Sequence, residues 1–253
     1  MILGAGLTVV KKSLVKCQAT PAMWYDATHG RLVIARRRGR HRTSNTMERV
    51  SRSQPDKFSQ RRAELGAAAL QTLASLGYAR TSLREIAQNS EFSHGVLHYY
   101  FKDKVDLILC SVRQYKAVCV KRYDEVVATA TTFDELLDGF LAALGETLRT
   151  EAAQHRLWYD LRSQSLFEDA FRADVAEIDK SLERMIWRVM TRLAELGGQP
   201  LTLPPSVAYA ALDGLFQQCL LKHLARDKRA ISTMQKHARV AILQLLGRPQ
   251  APP

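Results

Sequence analysis

The feature that most constrains this chain is a run of twenty residues, Ser82 to Phe101, that carries two helix-start signals too close together for either helix to be long. Ser82 and Glu85 have capping-box spacing, in which the hydroxyl accepts from the third helical amide and the carboxylate reaches back to the cap amide. This spacing predicts a short helix over about 83–89. Ser93 then precedes His94-Gly95-Val96-Leu97-His98-Tyr99-Tyr100-Phe101, a second hydroxyl-capped start after a turn of about four residues, Ser90 to Ser93. Two short capped helices joined by a tight turn make a helix-turn-helix. With about 3.6 residues per turn, Ile86, Ala87, Phe92, Val96, Leu97 and Phe101 turn inward, while His94, Gly95, His98 and Tyr99 share the opposite face. An aromatic and imidazole face left in water implies something for it to meet.

Around this motif the pattern is helical. Phe58, Leu65, Ala68, Ala69, Thr72, Leu73 and Leu76 recur at three- and four-residue spacing, and Gly77 stands where a left-handed cap is wanted, so a first helix is expected over 57–76. Beyond the motif, amphipathic helices are expected near 104–129, 132–150, 152–164, 168–196, 205–226 and 229–246, punctuated by Gly197-Gly198, Pro204-Pro205 and Gly247. No segment reads as a convincing strand. The expected fold is all-α: a three-helix domain at 57–106, a helical domain at 107–247 and a short tail at 248–253. A chain of 253 residues is long enough for a small domain attached to a larger one.

The net charge of +12 and isoelectric point near 9.8 point to a polyanionic partner. Eleven of the basic residues, against three acidic ones, lie in residues 1–56, with Arg36, Arg37, Arg38, Arg40 and Arg42 clustered and no sustained periodicity. That segment is expected to be a mostly disordered basic extension. Three readings of it stand open: an arm on DNA phosphates or a minor groove, a solvated tail, or an untranslated stretch ahead of a start at Met47. Cys17, Cys110, Cys119 and Cys219 form no CxxC pair, and read as reduced thiols in a cytoplasm. No run approaches the roughly 20 apolar residues of a bilayer span. No Gly-rich phosphate loop, nucleophile elbow or HExxH motif is present, so no enzyme activity, cofactor or metal is expected. An enzyme in the helical domain, using for instance His155, Asp160 and Glu168, is the alternative of a different class.

From helix one to Leu107, the succession Gly77-Tyr78, Thr81-Ser82-Leu83-Arg84-Glu85-Ile86-Ala87, Ser93 to Phe101 and Lys102-Asp103-Lys104 resembles the DNA-binding domain of tetracycline-repressor (TetR) family regulators. The resemblance covers about 50 of the 253 residues. It implies a homodimer that reads a pseudo-palindromic operator in double-stranded DNA, with the second short helix in the major groove. His94 and His98 would face base edges or phosphate, Gly95 would allow close approach, and Tyr99 would meet sugar or a thymine methyl. Tyr100 and Lys104 would hold phosphates, Thr81 and Arg84 would clamp the opposite backbone, and Ser93 would cap. His94 and His98 could alternatively be two metal ligands, but no Glu, Asp or Cys in the motif completes such a site. Where the family's turn holds a small residue and then glycine, this chain has Ser90 and Glu91. A positive φ there would cost about 1 kcal/mol.

The same resemblance implies an effector pocket in the helical domain, with Trp158, Tyr159, Phe167 and Trp187 as candidate lining and a small apolar or amphiphilic ligand as occupant. The last two helices would form a dimer bundle, with Ala208, Leu212, Leu215, Phe216, Leu220, Ile242 and Leu245 as candidate interface residues, or would pack that face within one chain. The runner-up function is non-specific or architectural DNA binding through the arginine-rich segment.

Overall fold

The computed structural model describes the backbone of residues 23–26, 31–34 and 49–247, and side chains from Lys57 to Gly247. Residues 1–56 and 57–253 form separate units. In the first, β1 (Met23–Asp26) pairs antiparallel with β2 (Arg31–Ile34), Trp24 opposite Val33 and Tyr25 opposite Leu32. This hairpin differs from the strandless extension expected there. Aromatic and β-branched residues on either side of a short loop ending in Gly30 favour a pleated pair. The arginine cluster at 36–42, Met47 and the tail at 248–253 lie outside the described residues.

Helix α1 (Arg49–Leu76) starts earlier than its expected bound. Pro55 obscures that start in the sequence, because it has no amide hydrogen to bond the carbonyl four residues back. Helices α2 (Leu83–Gln88) and α3 (His94–Tyr100) fall where the capping signals place them. The Ser82 and Glu85 box closes in both directions, and Ser93 Oγ accepts from the Val96 amide at 3.3 Å. In the turn between them neither Ser90 nor Glu91 has a positive φ, which corrects the expectation of strain. Ser90 Oγ instead accepts from the Phe92 amide (3.3 Å), and Asn89 donates to the Glu85 carbonyl (2.8 Å). Leu65, Leu73, Ile86, Leu97, Phe101 and Leu107 close a buried core among these helices and the start of α4 (Lys104–Cys119).

A single arginine holds the corner after α3. Arg62 donates to the Tyr100 carbonyl (3.2 Å) and to Asp106 (2.5 Å), and its guanidinium lies over the Phe101 ring. Asp106 in turn accepts from the Lys102 amide, and Asp103 caps α4 by accepting from the Asp106 amide.

The larger part continues with α5 (Asp124–Thr129), α6 (Phe133–Thr150), α7 (Ala152–Gln164), α8 (Asp169–Gly197), α9 (Pro205–Leu224) and α10 (Ala230–Leu245). The helix expected over 104–129 is thus two helices. No glycine or proline marks the break; Arg188 on α8 donates to the freed Val120 carbonyl (2.6 Å) and to Asp124 (2.8 Å), which satisfies the interrupted backbone. Phe140, Trp158, Phe171, Leu182 and Met190 are core residues; α9 packs on α7, α8 and α10, and α10 also packs on α6. No described helix is long and apolar enough to cross a membrane.

Arg62→Ala removes the half-buried, partly screened ion pair together with the cap on Tyr100, and is expected to lower unfolding stability by about 1–2 kcal/mol in a urea titration.

Candidate nucleic-acid interface and effector cavity

Helix α3 presents an open face. Tyr99 is 72% exposed, and His94, Gly95 and His98 are exposed beside it. The two imidazole Nε2 atoms lie 3.1 Å apart, and a Cβ built on Gly95 would meet nothing within 4 Å. The protein's own packing therefore does not require glycine at 95. Tyr100 is half-buried against Phe58, ring centroids 4.8 Å apart, and Phe58 also meets the edge of Tyr99. Arg84 is exposed, and Arg80 and Lys102, exposed at the ends of the motif, are cations that the sequence reading passed over. Two predicted contacts are engaged within the chain. Thr81 is 3% exposed and donates to the Gly77 carbonyl (2.6 Å), and Lys104 donates to the Tyr78 carbonyl (2.7 Å) with its ammonium over the Tyr78 ring. A lysine has three donors, so one such bond leaves others to offer.

The joint between this motif and the helices beyond it is polar. The Tyr78 amide donates to Asp160 (2.9 Å), the Tyr78 hydroxyl donates to Glu168 (2.9 Å), and Arg156 donates to the last carbonyls of α1, Ala74 (2.6 Å) and Ser75 (3.1 Å). Asp160 and Glu168, weighed above as catalytic groups, are thus occupied in holding Tyr78.

Between α4, α6, α7, α8 and α9 lies a partly open cavity, whose unfilled space, counted together with the solvent it opens to, is about 550 Å³. Its walls include Phe140, Leu144, Leu182, Met185, Ile186 and Phe216, and its polar lining includes Lys116, Cys119, Arg122, Thr147, His155 and Asp213. Tyr115 donates to Glu151 (2.6 Å), which also accepts from Arg122 (2.5 Å), while Arg122 reaches Thr147 (3.0 Å). Asp213 accepts from Tyr159 (2.9 Å) and Arg162 (2.5 Å). Burial pushes the Tyr115 and Tyr159 hydroxyls well up from their ordinary range, so both remain donors. Burial, reinforced by Lys116 and Arg122, holds His155 well below its usual value and therefore neutral. Lys116 is buried with its ammonium 4.9 Å from the Trp158 ring centre, and burial lowers its pKa to about 8. Cys119, Glu151 and His155 bring ligand-type atoms within 4.8 Å of one another. The Glu151 carboxylate is already shared by two donors, and two cations adjoin it, which makes this a poor cation site.

Residues 65–109 match the family described as bacterial regulatory proteins, tetR family. Over that stretch the chain is similar to this family. The HTH-type transcriptional repressor KstR2 of Mycolicibacterium smegmatis is 27% identical over 133 residues, 53% of this chain, and the match spans 64% of that relative's length. The transcriptional regulator FadR of Bacillus subtilis, solved in complex with stearoyl-CoA, superposes with a TM-score of 0.56 at 18% or less identity, namely 17%, over 74% of this chain and 98% of that one. A TetR transcription regulator from Haloarcula marismortui gives 0.56 at 20% identity over 75% and 100%. Both share its fold.

Trp158 and Tyr159 line the cavity, whereas Phe167 and Trp187 do not. Phe167 is 82% exposed in the turn before α8, and Trp187 sits on a face of α8 that looks away, beside Thr191 and Leu201. Of the candidate interface residues, Ala208, Leu212, Phe216, Leu220 and Ile242 are buried within the protomer, because α9 and α10 pack them against each other and against neighbouring helices; Leu215 and Leu245 are half-buried. The exposed apolar positions of α9 are instead Val207, Leu221 and Leu224. Lys116 was missed, and His155 was named only for the enzyme alternative. A signal existed: Lys116 falls among Val112, Tyr115 and Cys119 on the apolar stripe of α4.

The unfolded chain binds Lys116's proton up to about pH 10.5 and the folded one only up to about 8, so stability should rise with pH across that window. Lys116→Met should raise the unfolding free energy at pH 7 by about 2 kcal/mol and flatten the rise, as read from urea midpoints at pH 7 and 10.

Proposed function

We propose that this chain is a transcriptional repressor that binds a pseudo-palindromic operator as a homodimer in the cytoplasm, and releases it when a small amphiphilic molecule fills the cavity. The observation that carries this reading is the α3 face: an exposed tyrosine, two histidines and an unencumbered glycine on a helix whose opposite side is locked into a core. A backbone open at Gly95 lets the helix sit close to base edges, and the rings of His94, His98 and Tyr99 supply donors and apolar surface there. With no arginine or glutamine on that face, part of the specificity would come from DNA shape and bridging water. The relatives agree in kind, KstR2 being a repressor and FadR a regulator that holds an acyl-CoA.

Dimerisation would use the outer face of α9, where Val207, Ala210, Gly214, Gln217, Leu221 and Leu224 recur at three- and four-residue spacing. A Cβ on Gly214 would meet nothing within 4 Å, so this side is open to a second helix. Ligand and DNA would communicate through α7 and α4. Helix α7 turns His155, Trp158 and Tyr159 to the cavity and Arg156 and Asp160 to the end of α1 and Tyr78; α4 carries Lys116 in the cavity and Lys104 on Tyr78. A ligand that shifts either helix would alter the spacing of the two recognition helices, a population shift between binding-competent and incompetent dimers.

Fluorescence anisotropy at about 150 mM salt tests the reading with DNA from upstream of the chain's own gene and with a scramble of equal length. Specific binding should be at least ~1000-fold tighter, and should be lost in Tyr99→Ala and weakened about tenfold or more in Gly95→Ala with the fold intact. Equal, salt-sensitive binding to both DNAs that survives Tyr99→Ala but not deletion of residues 1–46 would establish the architectural reading instead. Leu221→Glu should give a monomer by light scattering and, with it, loss of operator binding.

A further inference from the structure

The cavity has two chemically different ends. At one, α4 and α7 gather Lys116, His155 and Trp158 around Tyr115: the Lys116 ammonium lies 4.9 Å from the Trp158 ring centre and 5.3 Å from that of Tyr115, and the Tyr115 and His155 rings are 5.8 Å apart. Trp158 is 1% exposed, yet its indole N–H has no hydrogen-bond partner among the described residues, and neither has His155 Nε2. Leaving a buried polar atom unpaired is costly, and these two belong to residues about one turn apart on α7. The ion pairs leave Lys116 aside. Arg122 is bonded to Glu151, and Arg162 to both Asp213 and Asp179, whereas no carboxylate is bonded to Lys116 among the described residues. The other end, along α6 and α8, is formed by Phe140, Leu144, Leu182, Met185 and Ile186.

We propose that this cavity takes an amphiphile with one carboxylate headgroup, seated between Lys116, the Trp158 indole N–H and His155 Nε2, with its apolar body along α6 and α8. The carboxylate oxygens accept from the ammonium, from the indole and from the imidazole in its Nε2–H tautomer, which satisfies every unpaired group at that end. A neutral ligand leaves the ammonium without a bonded carboxylate, and a diphosphate brings more negative charge than one ammonium can match. The proposal rests on the regulator reading for the consequence of binding, not for binding itself.

The test is calorimetric titration of the full chain at pH 7 with octanoate, decanoate and 4-phenylbutanoate, each against its own primary amide. At least one acid should bind ~10-fold or more tighter than its amide, a preference worth about 1.4 kcal/mol. In Lys116→Met that preference should fall to within about twofold, and Trp158→Phe, which keeps the ring and deletes the donor, should weaken the acid several-fold while leaving the circular dichroism unchanged. The proposal is overturned if no acid binds, if the amides bind equally well, or if Lys116→Met keeps the preference. Operator release is read separately by anisotropy. An acid that binds through Lys116 and leaves the DNA complex intact supports the ligand class and counts against the regulator reading; release by the amides alone overturns the ligand class and supports the regulator reading.

Discussion

Tyr78 is gripped from three helices at once. Gly77 before it takes φ +78°, which ends α1 and turns the chain, and its amide still bonds the Leu73 carbonyl. The Tyr78 amide then reaches Asp160 on α7, its carbonyl accepts from Lys104 on α4, its hydroxyl donates to Glu168 just ahead of α8, and its ring meets Phe171 edge-on at 5.2 Å. Burial and the Glu168 carboxylate raise the phenol to about 12, so it stays a donor. Because this residue is part of the link between α1 and α2, the placing of the helix-turn-helix depends on groups carried by the larger helical part.

The larger domain distributes its polar groups unevenly. Arg122, Glu151, Tyr115 and Thr147 form a network in which each charge has a partner, and it ties α4 to α6 and α7. On the same helices Lys116 is bonded to no carboxylate, and His155 Nε2 and the Trp158 indole N–H have no hydrogen-bond partner, among the described residues. Neighbouring groups on the same helices thus differ, one set bonded within the fold and the other without hydrogen-bond or ion-pair partners, which is the contrast the proposed ligand would resolve.

Much of the DNA-binding part was legible because its signals are local. Ser82 with Glu85, Ser93 with the Val96 amide, and Gly77 at a positive φ are all decided within a few residues, and the structure uses each as the sequence suggests. What was not legible depends on partners far along the chain. The break after Cys119 is stabilised by Arg188, 68 residues away from the carbonyl it bonds. The burial of Leu212 and Phe216 against the protomer's own helices, rather than a partner's, depends on how α9 leans on α7 and α8, and a helical stripe alone does not say which neighbour covers it. Aromatic content was likewise a weak guide to the cavity, since Phe167 and Trp158 look equivalent in sequence, yet Trp158 is turned inward on α7 and Phe167 lies exposed in the turn before α8.

The short helix α7 has a further consequence for anyone who wishes to change what the cavity recognises. His155 faces the cavity while Arg156, the next residue, holds the end of α1; Tyr159 and Asp160 repeat the arrangement one turn later. Redesigning the α7 wall therefore also perturbs the joint that holds Tyr78 and the end of α1, so under the proposed function selectivity gained there would come mixed with a change in operator binding without ligand. The walls contributed by α6 and α8, at Phe140, Leu144, Leu182 and Met185, carry no bond to that joint, and are where a biosensor built on this scaffold could be retuned independently.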